Sequence, residues 1–135
     1  MHQIFVKYSR KMIREGLKHT SSLVVTEAVT AVNRGSGDMA VLATPAMMAL
    51  MENAAMLAVA AELPEGSTTV GGHIASSHLK PSKVGDEVTA TAEVVKVGGK
   101  KLEFKVAAYS GDVLIGEGTH LRFVVDRERF LSKLG

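Results

Sequence analysis

Residues 46–61 read Ala-Met-Met-Ala-Leu-Met-Glu-Asn-Ala-Ala-Met-Leu-Ala-Val-Ala-Ala, and Glu52 with Asn53 supplies the only polarity in the run. Strong helix formers fill it. Thr44-Pro45 just before it predicts an N-cap followed by proline at the first helical position, and Pro64 with Gly66 predicts its end. At 1.5 Å per residue the helix is about 25 Å long. A helix apolar nearly all round cannot simply lie on a surface; it has to be wrapped. That requirement governs how the remaining chain is read.

The wrapping comes from strands. Thr69 to Lys80, with Gly71-Gly72 inside it, reads as a strand. Glu87 to Val97 alternates, with Val88, Ala90, Ala92 and Val94 on one face. Gly98-Gly99 is a two-residue hairpin signal. Leu102, Phe104, Val106 and Ala108 give Lys101 to Tyr109 the same alternation. Ser110-Gly111-Asp112 turns the chain into a last strand, Val113 to Val125, and Asp126 is placed to cap a short terminal helix. Upstream, residues 22–26 read as a strand and residues 33–38 as a loop. One apolar helix followed by antiparallel strands gives an α+β class, a sheet of about five strands curled around the helix. Such a sheet has edges to cover or pair, and pairing with a second copy predicts a dimer.

With 135 residues the chain is one domain, so a larger site needs a partner chain. The net charge is +2, and the densest basic stretch, Lys7 to Arg14, is short and has no row of aromatics, which excludes a nucleic-acid groove. No cysteine is present, so disulfides, thiolate nucleophiles and cysteine-based metal sites are out, as befits a cytoplasmic protein. The charged N-terminus lacks the apolar core of a secretory signal, and the apolar run falls short of the ~20 residues that cross a membrane.

Glu52 is the sharpest anomaly, a carboxylate inside an otherwise uncharged helix. Either it marks an exposed stripe with Asn53, or it faces a cleft as a general base or water-orienting group. His78 near the end of its strand is structural or catalytic. His73, five residues earlier, falls on the opposite face, so the two do not share a metal site. Thr44 is an N-cap on local grounds. Gly71-Gly72 is a bulge, or a place where a ligand approaches backbone N–H donors. His120 and Arg122 share a face with Gly116 and Gly118, and Arg122 suits a phosphate, a carboxylate or an ion pair. Lys80, Lys83, Lys100 and Lys101 are candidate cations for the phosphates of coenzyme A.

Taken together these residues are more specific than any one of them. Val41-Leu-Ala-Thr-Pro45, Met51-Glu-Asn-Ala-Ala55, Gly71-Gly-His-Ile-Ala-Ser-Ser-His78 and Gly116-Glu-Gly-Thr-His-Leu-Arg122 resemble the fluoroacetyl-CoA thioesterase family of hotdog proteins from about Gly16 onward. The resemblance implies a hotdog domain over 16–135 after an extension of residues 1–15. It implies hydrolysis of a small acyl-CoA thioester without metal or cofactor, coenzyme A entering as part of the substrate. It assigns catalysis to Thr44, Glu52 and His78 and a backbone donor to Gly71, with Gly72, His120 and Arg122 as further oxyanion or substrate contacts. Like other hotdog thioesterases it implies a homodimer with a shared site. Two differences stand out: residues 35–40 hold no aromatic where the fluoroacetyl-specific pattern has a lid, and Pro45 replaces a glycine. The rival readings are a hotdog hydratase or dehydratase, whose carboxylate–histidine order this chain does not match, and a non-catalytic acyl-CoA-binding module.

Overall fold

The computed structural model describes residues 12–135. Five strands, β1 (Lys18–Val24), β2 (Ser67–His78), β3 (Glu87–Gly98), β4 (Lys101–Ser110) and β5 (Val113–Asp126), form one antiparallel sheet in the order β1-β3-β4-β5-β2. A 3₁₀ turn (Glu27–Val29) and the short helix α1 (Ala31–Arg34) lead into the long helix α2 (Thr44–Ala60), and α3 (Arg127–Ser132) ends the chain. The expected α+β arrangement, a curled sheet around one helix, is what forms.

The core is one stripe of α2 against the inner face of the sheet. Ala46, Met47, Leu50, Met51, Ala54, Ala55 and Val59 recur at helical spacing and are buried. They meet Val88, Ala90, Ala92 and Val94 of β3 and Leu102, Phe104, Val106 and Ala108 of β4, the two alternations read from the sequence. Burying a side chain such as Met47, Met51 or Phe104 stabilises the fold by about 1.5–3 kcal/mol. The single chain does not wrap the helix all round. Its opposite side leaves Ala49 and Ala60 exposed and Leu57 41% exposed, because a five-stranded sheet curls around only half of a helix.

β2 runs over Ser67–His78, two residues earlier than expected at each end, and four further differences have a local reason. β1 starts at Lys18 and stops at Val24, since Val25 turns into the core and gives its N–H to the Asp86 carbonyl at 2.8 Å. The expected loop over 33–38 begins inside α1, which ends at Gly35 in the left-handed region (φ 74°). The β3–β4 hairpin lies one residue later than Gly98-Gly99: Gly98 pairs with Lys101, leaving Gly99 (φ 64°) and Lys100 as the loop. Finally, Ala43 rather than Thr44 is the N-cap of α2, and Thr44 and Pro45 stand in its first turn. No side chain caps that end; the Thr44 hydroxyl has another partner. At α3 the expected cap forms, Asp126 Oδ1 accepting the Arg129 N–H at 2.9 Å.

Both edges of the sheet, β1 and β2, are unpaired among the described residues. Ahead of β1, Arg14 and the Met12 N–H reach Glu62 just beyond the end of α2, and Gly16 bonds the Val94 carbonyl at 2.9 Å. Of the expected extension, residues 1–11 lie outside the described residues.

Candidate active site

Two groups of polar side chains line the α2–β2 side of the molecule. The first joins the start of α2 to the end of β2, where Thr44 Oγ1 and His78 Nδ1 lie 2.7 Å apart. That contact explains why Thr44 does not cap its helix. The other ring nitrogen of His78, Nε2, is buried with no hydrogen-bond partner among the described residues, and burial holds the ring's pKa below the ordinary 6.5, against a smaller upward pull from the Lys80 backbone. The imidazole is therefore neutral near pH 7, the form that accepts a proton. Beside the pair opens a cavity of about 280 Å³, lined by Ser36, Val41, Leu42, Leu79, Lys80 and Pro81 among others.

The second group lies farther along both elements. Glu52 is two helical turns from Thr44, about 12 Å along the axis. Its side chain is 42% exposed and points at the Gly71 end of β2, with Oε2 at 4.0 Å from both Arg122 Nη1 and His120 Nε2. Neighbouring Asn53 faces the other way, its Oδ1 accepting from Ser21 Oγ of β1 at 2.7 Å. Glu52 and Asn53 thus divide between the two sides of the helix and do not share one solvent stripe.

A bulge shapes β2 here: Gly71 pairs with Arg122 and His73 with Leu121, leaving Gly72 without a counterpart on β5. The two glycines answer to different neighbours. A Cβ at Gly72 would run into the Phe123 ring. At Gly71 it would stand 2.9 Å from Glu52 Oε2, 3.3 Å from His120 Cε1 and 3.5 Å from Arg122 Nη1. Gly71 therefore keeps the space in front of the carboxylate open. Gly71→Ala is expected to displace the flexible carboxylate and not the sheet, lowering kcat about 10²-fold, the scale of losing one oriented catalytic contact. Thermal melting checks the second half: the Tm should stay close to the parent value.

Beneath the bulge His120 and Arg122 are 1% and 7% exposed. They extend from β5 on the inner face, which alternation with Gly116 and Gly118 had left open, and not into solvent. Thr69, which the sequence reading passed over, is part of this group; it points inward two positions before Gly71, the signal that could have found it. His73 is exposed on the outer side of β2. Among the described residues no three His, Cys, Asp or Glu side chains converge as a metal site.

Within one chain, then, Thr44 and His78 are brought together, and Gly71, His120 and Arg122 are gathered around Glu52. No hydrogen bond links one group to the other. The cations named for coenzyme A are scattered: Lys80 borders the cavity beside His78, Lys83 is paired with Asp86, and Lys100 and Lys101 sit at the β3–β4 hairpin. A larger hollow of about 850 Å³ lies on the outer face of the sheet, lined by Lys18, Thr91, Lys105, Tyr109 and Thr119 among others. None of the candidate catalytic side chains reaches it.

Comparison with known proteins gives the family and the fold. The family model described as fluoroacetyl-CoA-specific thioesterase matches residues 25–128. The fluoroacetyl-CoA thioesterase of Streptantibioticus cattleyicolor is 39% identical over 94 residues, 70% of this chain and 68% of that protein. A crystal structure of the fluoroacetyl-CoA thioesterase superposes with a TM-score of 0.83 at 35% identity, covering 91% of this chain and 96% of that one. A thioesterase superfamily member from Thermus thermophilus gives a TM-score of 0.84 at 26% identity, with 91% of each chain covered. The chain is a hotdog-fold protein and belongs to the fluoroacetyl-CoA-specific thioesterase family.

Proposed function

We propose that the protein hydrolyses small acyl-CoA thioesters in sites built across a homodimer, Thr44 and His78 coming from one subunit and Glu52 with Gly71 from the other. The Thr44–His78 contact of 2.7 Å carries the reading. A hydroxyl held on a neutral imidazole is a nucleophile–base pair, or equally an anchor that aims the base at water. In either case the proton of the attacking oxygen passes to His78. The carbonyl oxygen gains charge beside the backbone N–H near Gly71, and the C–S bond breaks, coenzyme A leaving as the thiol once it takes a proton; where Thr44 is the nucleophile, water activated by His78 then cleaves the acyl-threonine ester and releases the acid. Glu52 orients the water, or the histidine, from across the interface.

Three observations support the shared site. Glu52 makes no hydrogen bond to Thr44 or His78 of its own chain and is two helical turns from Thr44. β2 is a twelve-residue edge strand among the described residues, without a lysine, proline or acidic residue to blunt pairing, and beyond the bulge at Gly72 its His73–His78 half is regular. Ile74 and Ala75 lie midway between Gly71 and His78. An antiparallel β2–β2 pairing about that point sets each subunit's Gly71 opposite the partner's His78. The exposed apolar side of α2, with Leu57, would then face the second copy instead of water.

Residues 16–135 act as the hotdog unit and residues 1–15 as an extension to it. Acyl-CoA thioesters are intracellular, which places the protein's work in the cytoplasm. Without an aromatic in residues 35–40 to close over the acyl group, discrimination among small acyl chains is weak. The test is free-thiol release from a panel of acetyl-, fluoroacetyl-, propionyl- and butyryl-CoA. Turnover of several, with neighbouring chain lengths separated by no more than about 200-fold, is the expected result, since one methylene in an apolar pocket is worth only 10–200-fold. Binding of the esters with no turnover of any would make the protein a binding module instead.

A further inference from the structure

The end of the chain takes no part in the site described above, and every residue from Arg127 to Gly135 is exposed. α3 begins where the Arg127 N–H meets the Gly66 carbonyl at 2.9 Å, beside the first residue of β2, since Ser67 pairs with Asp126. Arg129 and Lys133 stand one helical turn apart and so share a face, and Phe130 lies next to them, 39% exposed. Neither cation forms an ion pair among the described residues, whereas Lys83, Lys96 and Lys105 each face a carboxylate within 4.0 Å. Like charges one turn apart repel, and no ion pair offsets that here.

Two cations beside an open aromatic ring suit a phosphorylated purine: the base stacks on the ring and the phosphates meet the charges. The other phenylalanines among the described residues are engaged elsewhere, Phe104 in the core and Phe123 over Gly72. The position of α3 also fits. Gly71 is four residues from Ser67, about 13 Å along β2 at 3.3 Å per residue. An extended pantetheine arm is longer than that. A thioester carbonyl held near Gly71 therefore leaves the 3′-phosphoadenosine end of coenzyme A within reach of α3. Antiparallel β2–β2 pairing adds a cation from the other subunit, because the start of one β2 then runs beside the residues that follow the partner's His78, where Lys80 borders the cavity.

We propose that Phe130, Arg129 and Lys133 form the subsite for the 3′-phosphoadenosine end of coenzyme A, Phe130 under the adenine and the two cations on the phosphates. The inference rests on coenzyme A thioesters being the substrate, as proposed above, and asks nothing of Thr44, Glu52 or His78.

The test uses two variants of the full chain, Phe130→Ala and the double substitution Arg129→Ala with Lys133→Ala. With acetyl-CoA, Phe130→Ala is expected to raise KM about tenfold, on the scale of one base stacked on an aromatic ring. The double substitution should raise it about threefold to tenfold, since these cations stay in solvent. In both, kcat should change less than about twofold, because only uniform binding is lost. With S-acetylpantetheine, which carries neither base nor phosphate, KM should move less than about twofold in either variant. Neither substitution touches the core, so the Tm should stay close to the parent value. Calorimetric titration with coenzyme A itself reads the subsite without turnover and should show the same fold-losses in affinity. An unchanged KM for acetyl-CoA, an equal rise with S-acetylpantetheine, or an affinity for coenzyme A that neither variant lowers would overturn the proposal. Turnover of neither thioester, with those losses of coenzyme A affinity intact, would sink the hydrolase reading and leave the subsite standing.

Discussion

His78→Ala is expected to lower kcat/KM about 10³-fold, within the range for removing a general base. The side chain is hydrogen-bonded to Thr44 and is only partly buried, so the Tm should fall by no more than about 4 °C, equivalent to roughly 1 kcal/mol. Thiol release and a melting curve on the same preparation separate the two effects. Activity within tenfold of the parent protein would remove His78 from the chemistry. The pH dependence has a definite sign. Burial holds His78 below 6.5, so the acid limb of kcat/KM should lie below 6.5 and vanish in the alanine variant. Stability follows the same direction. His78 and His120 both have lowered folded-state pKa values, whereas in the unfolded chain they titrate near 6.5. Between those values the unfolded chain binds more protons, so their contribution is fully present above 6.5 and is lost as the pH falls toward the folded-state values. A denaturant midpoint that rises on acidification from 7 to 5 would contradict this.

Gly118→Ala is expected to have the largest effect on folding. Gly118 lies opposite Ser76 on β2, and a Cβ there would overlap the Ala75 carbonyl oxygen and stand 2.7 Å from Ser76 Cα. Both neighbours are backbone, so no rotamer change relieves the overlap; the strands must separate. Ordinary overpacking costs about 1–3 kcal/mol, and displacing a strand that carries part of the site exceeds it. The variant should lose its cooperative melting transition or accumulate as insoluble protein. A soluble variant melting within about 2 °C of the parent would show that β2 and β5 have slack the structure does not display.

The helix and the alternating strands were legible because apolar periodicity is set by which face is buried, and that is written residue by residue in Val88 to Val94 and Leu102 to Ala108. Boundaries were less so: whether Ala43 or Thr44 caps α2 depends on where the Thr44 hydroxyl finds its partner, and that partner, His78, is 34 residues away. Thr44 was named as catalytic from resemblance to a family; its local sequence pointed to a cap. Glu52 stood out by its charge, but that Asn53 beside it faces β1 follows only once Ser21 is in place. For Arg122, alternation gave only the face shared with Gly116 and Gly118 and not whether that face is buried, since a buried and a surface arginine read alike in sequence. Thr69 was overlooked because one threonine in a strand rich in Thr and Ser carries no signal until its partner is known.

The central claim is that each site draws on two subunits, and mixed dimers test it most directly. His78→Ala and Glu52→Gln chains would be co-expressed with different tags and the heterodimer purified through both. In a shared site the intact His78 of one chain meets the intact Glu52 of the other once per dimer, so the heterodimer should recover about half of parental activity while each homodimer stays inactive. A heterodimer as inactive as its parents would contradict the account, because every site would then take its threonine, histidine and glutamate from one chain.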